Sequence, residues 1–225
     1  MSFPENPLDN PVWSSLTDIH FDACIDYGSV KFYHPDFTPF GAFTDGADTS
    51  DAIEKHAKLL DRFFIVGEQP KVPASFNPPK RYVGLQMIIY NEINQPITED
   101  IIELNETHYI DLMDLIDLVY PHFFKKNTNK LGRYYGIYKN NQLVAVTGER
   151  MQTNNFTEIS AVATHPDHTG KGYAKQLITH TSKNIFKENK IPFLHVDNTN
   201  LGPINLYKKL GFTIRREMQY WLISR

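Results

Sequence analysis

The sequence predicts a mixed α/β (α+β) fold: a mostly antiparallel central sheet with helices on both faces, preceded by an amino-terminal α/β extension. Three observations predict it. Two short asparagine-bearing connections, Lys139-Asn140-Asn141-Gln142 and Asn154-Asn155, join apolar runs into three successive antiparallel strands. A glycine-bearing turn then leads from the third strand into a helix and on to another strand, and such crossovers are parallel and right-handed. Ten of the 14 prolines lie before residue 97, so the first half has room only for short regular elements.

In that half, Ser50 is placed to cap a helix with Ile53, Ala57, Leu60 and Phe64 on one face. Gly67 ends the segment after it. The stretches Gln69-Pro70-Lys71-Val72-Pro73 and Asn77-Pro78-Pro79-Lys80 read as an extended connector. A second connector over residues 91–96 divides the chain into residues 1–90 and 98–225. Ile101 to Leu104 then reads as a strand. Thr107 can cap a helix carrying Tyr109, Leu112, Met113, Ile116 and Val119, which Pro121 ends. Strands follow at Tyr134–Tyr138, Leu143–Thr147 and Phe156–Thr164. The third becomes continuously small and apolar over 159–163, so both its faces are covered or something flat lies against it. Ala174, Leu177, Ile178, Thr181 and Ile185 form the buried stripe of the next helix. Phe193–Val196 is a strand. Pro203 fits the first turn of a short helix with Ile204, Tyr207 and Leu210 on one face and Gly211 as its stop. Phe212 to Leu222 alternates as a final strand or hairpin.

Composition excludes several functions. Lys plus Arg total 23 and Asp plus Glu 26, so the net charge of −3 argues against a nucleic-acid partner. The single cysteine, Cys24, forbids an internal disulfide and a cysteine-based zinc cluster, and reads as a buried small residue. His165 and His168 share H-x-x-H spacing without a third ligand, so no metal is expected. No apolar run approaches the ~18 residues of a membrane span. The Met1–Asn6 stretch lacks the blocks of a secretory signal. A soluble cytoplasmic protein without a membrane partner is expected.

The turn Thr169-Gly170-Lys171-Gly172-Tyr173-Ala174 is the main chemical clue. Its glycines let successive N–H groups point into one concavity, and the helix starting there adds its positive end, an arrangement suited to phosphate. The alternative is a plain tight turn. A P-loop is excluded because Gly172 follows Lys171, and a dinucleotide fingerprint because Lys175 stands where its third glycine belongs.

Residues 159–174 resemble motif A of the GNAT N-acetyltransferase superfamily, and Asn200-Leu201-Gly202-Pro203-Ile204-Asn205-Leu206-Tyr207-Lys208-Lys209-Leu210-Gly211-Phe212 resembles its motif B. The closest look is to the glycine-N-acyltransferase-like branch. The resemblance covers residues 98–225 and implies the acyl-CoA N-acyltransferase fold. Thr169 departs from the family's long polar residue and Pro203 from its small alanine. The resemblance further implies acetyl-CoA as co-substrate. Its pantetheine would pair with the backbone of Val162, Ala163 and Thr164, and its diphosphate would sit on the amides of Gly170, Lys171, Gly172, Tyr173 and Ala174 beside Thr169. Val162 N–H would meet the oxyanion. Tyr207 falls at the position of the acid near the sulfur, unless it is a plain core aromatic. Glu158 falls at that of a catalytic glutamate, with Glu149 and His165 as competitors and a half-exposed polar strand position as the bland reading. Asn200 would bond the cofactor or cap the short helix. The expected activity is direct transfer of an acyl group to a small-molecule or peptide amine; a non-catalytic acyl-CoA-binding module is the alternative. Residues 1–90 would be a cap or a degenerate second copy of the unit. Their aromatics, Phe32, Tyr33, Phe37, Phe40 and Phe43, would wall an acceptor pocket or form a core.

Overall fold

In the computed structural model, which describes residues 6–225, the chain runs α1 (Pro11–Thr17), β1 (Cys24–Asp26), β2 (Val30–Tyr33), β3 (Phe40–Phe43), α2 (Ser50–His56), β4 (Arg62–Val66), β5 (Lys80–Ile88), β6 (Ile102–Leu104), α3 (Tyr109–Val119), β7 (Tyr134–Lys139), β8 (Gln142–Gln152), β9 (Phe156–Thr164), α4 (Tyr173–Lys187), β10 (Ile191–Asp197), α5 (Leu201–Lys209) and β11 (Thr213–Ser224). The reading of Met1–Glu5 lies outside the described residues. The strands form one 11-stranded sheet in the order β1-β2-β3-β4-β11-β5-β10-β9-β8-β7-β6. Only β3–β4 and β9–β10 pair in parallel, so the sheet is mixed and mostly antiparallel as expected.

Helices cover both faces. On one, Val12, Trp13 and Leu16 of α1 pack with Phe40, Ile88, Phe193 and Met218, and Leu112, Leu115 and Ile116 of α3 pack with Tyr134, Val146 and Ala163. On the other, Ile178 and Ile185 of α4 join Ile204 and Tyr207 of α5 over Met87, Leu194 and Val196. Neighbouring β10 residues thus enter opposite layers, because strand side chains alternate.

Several local expectations differ from the structure. Helix α2 ends at His56, and Phe64 lies in β4, so the face over Ile53 to Phe64 breaks at the turn around Leu60. The cap before α3 is Asn105: its side chain accepts from Thr107 N–H while His108 accepts from Asn105 N–H, and a short 3-10 turn precedes the helix. Asn140 and Asn141 adopt the positive φ expected of a tight hairpin, whereas Asn154 and Asn155 do not. The second connection is instead held by Asn154, whose N–H and side-chain amide both donate to Asp18. The final segment is one long strand. Its partner β5 begins directly after Pro78-Pro79, and the proline density around it hid a nine-residue strand.

The two halves repeat one plan. Helix α1, strands β1–β3, helix α2 and strands β4–β5 follow the order of α3, β7–β9, α4, β10 and β11, with α5 added in the second series. In each, the third strand passes through a helix to a parallel neighbour. The last strands are exchanged: β5 pairs with β10, and β11 pairs with β4.

Candidate active site

The site grows from the edge between β9 and β10. Their pairing runs from Ile191↔Phe156 to Phe193↔Glu158 and stops there, while β9 continues to Thr164 and β10 to Asp197. The strands therefore open into a wedge. Within it β9 carries a bulge: Val146↔Ala163 and Gly148↔Ser160 set two steps on β8 against three on β9. Ala161 absorbs the extra residue with φ 50°, a left-handed conformation that costs a non-glycine residue about 1 kcal/mol. The small side chains at 160, 161 and 163 fit this crowded turn of backbone. The Val162 carbonyl accepts from the Tyr120 hydroxyl at 3.0 Å. Ala163 pairs with Val146 on β8 and packs toward α3. Thr164 ends the strand.

Beyond Thr164, a 3-10 turn over Pro166–His168 leads to the glycine loop. Gly170 and Gly172 have φ 76° and 79°, which side-chain-bearing residues rarely adopt, and a Cβ at either would meet nothing within 4 Å. The loop is thus open to a ligand on the side where a side chain would stand. Gly172 is the N-cap of the 15-residue α4 and offers no side-chain cap, and the first turn holds no acidic residue. The leading amides of the helix are left for an anion. Lys171 is exposed beside them. Thr169, where a long polar brace was missing, donates its hydroxyl to Pro166 O at 3.1 Å and closes the turn locally. Gln176 ties the first turn of α4 to the segment before β6 by accepting from Thr98 N–H and Glu99 N–H.

Tyr207 stands on α5, 7% exposed, with its ring against Phe212. Burial, and then the neighbouring Tyr120 phenol, push its hydroxyl well above the ordinary phenol range, so it stays protonated at neutral pH. It is part of the core layer with Ile204 and Leu210 and also shares its surroundings with Tyr120, which touches the wedge. Asn200 holds the N-cap position of α5 without making a side-chain cap bond. Of its two expected roles, capping is therefore not realised.

Glu158 marks the apex of the wedge. It is fully buried, with Arg150 Nε and Nη2 donating to its two oxygens at 2.8 and 2.7 Å. His195 Nδ1 lies 2.7 Å from Oε1. Gln86 donates its amide to Leu8 O and accepts from Arg215, which turns its N–H toward His195 Nε2. This network assigns the proton of His195 to Nδ1, where it donates to Glu158. Burial alone would raise the Glu158 carboxyl, but the charge and hydrogen bonds of Arg150, and then His195, hold it well below the usual carboxylate range. The half-exposed strand position is excluded, and the carboxylate is a neutralised partner rather than a free one. Glu149 lies elsewhere. It is 2% exposed and held by Arg133, in a hollow of about 510 Å³ that also takes in Glu188, at the far end of α4. That end is ~22 Å from the glycine loop at the rise of an α-helix. Burial, against the pull of Arg133, leaves its carboxyl raised. His165 accepts from Asp167 N–H at the strand exit.

Sequence reasoning missed Tyr120, Arg150 and His195. Arg150 and Glu158 flank a short turn between antiparallel strands, so their opposite charges could have been paired across it. Nothing in the sequence marks Tyr120 beyond its place at a helix end before Pro121. Among the described residues, no group of three His, Cys, Asp or Glu side chains could hold a metal, and no helix is long and apolar enough to cross a membrane.

The splayed parallel pair, the bulge and the uncapped glycine-led helix sit in the acyl-CoA N-acyltransferase (GNAT) fold, which is the fold of this chain. Residues 134–222 match the family model described as FR47-like protein. A solved structure from Novosphingobium aromaticivorans, described as an acetyltransferase of the GNAT family, is 28% identical with a TM-score of 0.84, over 98% of this chain and 99% of that one. A GCN5-related N-acetyltransferase-like protein from Streptococcus suis is 14% identical (TM-score 0.65, 99% and 94% covered). A GCN5-related N-acetyltransferase from Kribbella flavida is 13% identical (TM-score 0.61, 96% and 95% covered). The last two bear on fold alone. No curated protein matches the sequence. The FR47-like match and the 28% identical structure support the GNAT superfamily.

Proposed function

We propose that the protein is an acetyl-CoA-dependent N-acetyltransferase that moves the acyl group directly from the thioester to an amine. The observation that carries the reading is the open wedge leading to an uncapped helix start whose two glycines leave the backbone bare. The residues fit the co-substrate: a linear amide arm suits a strand edge with no partner, and a diphosphate suits free helix amides. In this reading Val162, Ala163 and Thr164 line the arm. Thr169, Gly170, Lys171, Gly172, Tyr173 and Ala174 hold the diphosphate, with Asn200 at the second helix start. Within the superfamily, the glycine-N-acyltransferase-like branch rests on the motif residues alone.

The neutral amine nitrogen attacks the thioester carbon and its N–H proton passes to water. Negative charge gathers on the carbonyl oxygen, where Val162 N–H donates. The C–S bond then breaks, and the leaving sulfur takes its proton from the Tyr207 phenol, which solvent restores. Glu158 does not take the amine's proton in this scheme; paired with Arg150, it fixes the apex against which β10 diverges. Residues 1–90 are a degenerate copy of the acyltransferase unit, on the support of the repeated order and the exchanged last strands.

The test is acetyl-CoA titration by calorimetry, followed by CoA release against amines for the unchanged chain and Tyr207→Phe. One-site binding is expected, with a fall of about 10²–10⁴ in kcat for the variant and little change in affinity. Absence of acetyl-CoA binding by the folded chain refutes the reading; binding with unchanged turnover in Tyr207→Phe refutes the acid.

A further inference from the structure

The bulge in β9 is held by two side-chain hydroxyls. Ala161 keeps its left-handed conformation at φ 50°, and the carbonyls on either side of it each accept from a hydroxyl. Thr147 on β8 donates to Ser160 O at 3.3 Å. Tyr120, at the end of α3, donates to Val162 O at 3.0 Å.

The register fixes where Val162 points. His165 N–H donates to Val144 O at 2.8 Å, and Ala145↔Thr164 and Val146↔Ala163 follow in step. Bonded and non-bonded residues alternate in an antiparallel ladder, so Ala163 turns its N–H and carbonyl to β8 while Val162 turns both of its own to the other edge. Along that edge β10 parted from β9 after Glu158. Val162 therefore offers the wedge one donor and one acceptor, and Tyr120 holds the acceptor.

Tyr120 is carried on a fixed segment. Its N–H donates to Ile116 O at 2.7 Å, and its carbonyl accepts from Phe123 N–H at 3.2 Å. His122, at φ 67°, closes the turn by donating its N–H to the Asp117 carboxylate. Val119 and Phe124 anchor this turn in the layer of α3 beside Ala163. The side chain is 44% exposed, yet burial raises its phenol above the ordinary value, so the ring meets water while the hydroxyl end is enclosed. Tyr207 comes from the opposite layer, where the Val162 side chain also packs. The two phenols are neighbours across the split in the sheet: after burial, Tyr120 is the second cause of the raised Tyr207 phenol.

We propose that Tyr120 is a positioning residue of the transfer, which by holding the Val162 carbonyl keeps the Val162 N–H turned into the wedge, where the thioester oxygen gathers charge. This rests on the acetyltransferase reading above and adds a residue to it. The two Val162 groups are linked by geometry: in an extended residue the N–H and C=O point to the same edge, so fixing one fixes the other. Ala161, one residue earlier, is in a sparsely populated conformation that persists only where its surroundings enforce it, and the Tyr120 bond is one such restraint. A carbonyl has two lone pairs, so Val162 O can accept from Tyr120 and from an amide of the pantetheine arm together.

The experiment uses the full chain, Tyr120→Phe, which removes one oxygen from a partly exposed side chain, and Leu118→Ala, an exposed neighbour, as control. Valine labelled with carbon-13 at its carbonyl and alanine labelled with nitrogen-15 give signals from Val144–Ala145 and Val162–Ala163, the two Val-Ala pairs of the sequence. Tyr120→Phe should move the Val162 carbonyl resonance upfield and leave that of Val144 in place. Isotope-edited infrared spectroscopy of acetyl-CoA labelled at the thioester carbonyl then reads the bound C=O. Its stretch should lie below that of free acetyl-CoA in the unchanged chain and return toward it in Tyr120→Phe, while the acetyl-CoA Kd changes by less than about threefold. Any amine that the unchanged chain acetylates should show a kcat about three- to tenfold lower in the variant, with its KM little moved. Leu118→Ala should leave all these readings as they are. The proposal is overturned if the Val162 resonance does not move, if the bound stretch is the same in both proteins, or if Tyr120→Phe keeps full kcat. Absence of acetyl-CoA binding by the unchanged chain would instead overturn the acetyltransferase reading.

Discussion

Replacing Arg150 by Met should turn the acid response of the fold around. The methionine keeps an apolar stem near Phe40 and deletes the guanidinium. The structure sets the scale: two charge-assisted bonds of 2.8 and 2.7 Å end on a carboxylate whose side chain is 1% exposed. Breaking such a pair from one side costs about 3–5 kcal/mol at neutral pH. The sign with pH follows from the Glu158 carboxyl, whose ordinary value is 4.5. In the unchanged chain the folded carboxyl lies below that value. Its stabilisation is present above the ordinary value and is lost as the pH falls toward the folded one. In Arg150→Met, burial is opposed only by His195 and the Met151 N–H, and the carboxyl moves above its ordinary value, each unit being worth about 1.4 kcal/mol. The cost then falls on acidification as Glu158 takes up its proton. Urea unfolding followed by the fluorescence of Trp13 and Trp221, 5% and 8% exposed, reads both halves. From pH 7 to pH 5 the stability difference between the two proteins should narrow by about 1–2 kcal/mol. Adding Glu158→Leu should recover more than about 1 kcal/mol of the loss at pH 7. A difference under about 1 kcal/mol at neutral pH, or one that does not change with pH, refutes the reasoning.

Gly172→Val forces a β-branched residue to φ 79° at an uncapped helix start; it should cost about 1–2 kcal/mol in urea unfolding and weaken acetyl-CoA binding in calorimetry. His56, stacked on Phe32 at 3.9 Å, is lowered by burial to about 4 from 6.5. Because the unfolded chain takes up that proton first, the His56 contribution to stability should fall as the pH drops from 6.5 toward 4, by about 3 kcal/mol at most, alongside a like contribution from buried His20. The His56 Nδ1 has no partner, so His56→Phe should flatten that slope and raise the melting temperature at pH 5.

The second half was legible because its elements follow local rules. The Asn140-Asn141 turn, the glycine-led helix and the Gly211 stop each tie a residue type to one backbone conformation, and they fell where expected. The first half was not, because its strands of three to five residues are too short to show a period. Strand β5 was hidden for another reason: Pro78-Pro79 stop just short of it, and its place between β10 and β11 depends on partners more than a hundred residues away. Within the site, the positive-φ turn and its bare backbone could be read from glycines alone. The Arg150–Glu158–His195 contacts need strand register, and the Tyr120 contact with Val162 needs the packing of α3 over the bulge.

The exchanged strands carry a last consequence. Strand β10 has β9 on one edge for only three residue pairs and depends on β5 for five more along the other. Strand β11 lies between β5, which it pairs with from Thr213 to Leu222, and β4, which it pairs with along its other edge from Tyr220 to Ser224. A fragment beginning at residue 98 lacks both partners and bares the edges of β10 and β11. Unpaired apolar edges recruit other chains. The wall of the wedge opposite β9 would lose its support even if α4 and the glycine loop formed. Residues 98–225 alone should therefore be aggregated or unfolded by size-exclusion chromatography and circular dichroism. A fragment starting at residue 78, which retains β5, should be the more soluble of the two. A monomeric, folded 98–225 fragment that binds acetyl-CoA as tightly as the full chain would show that the exchange is dispensable, and with it the argument that the two halves build one site.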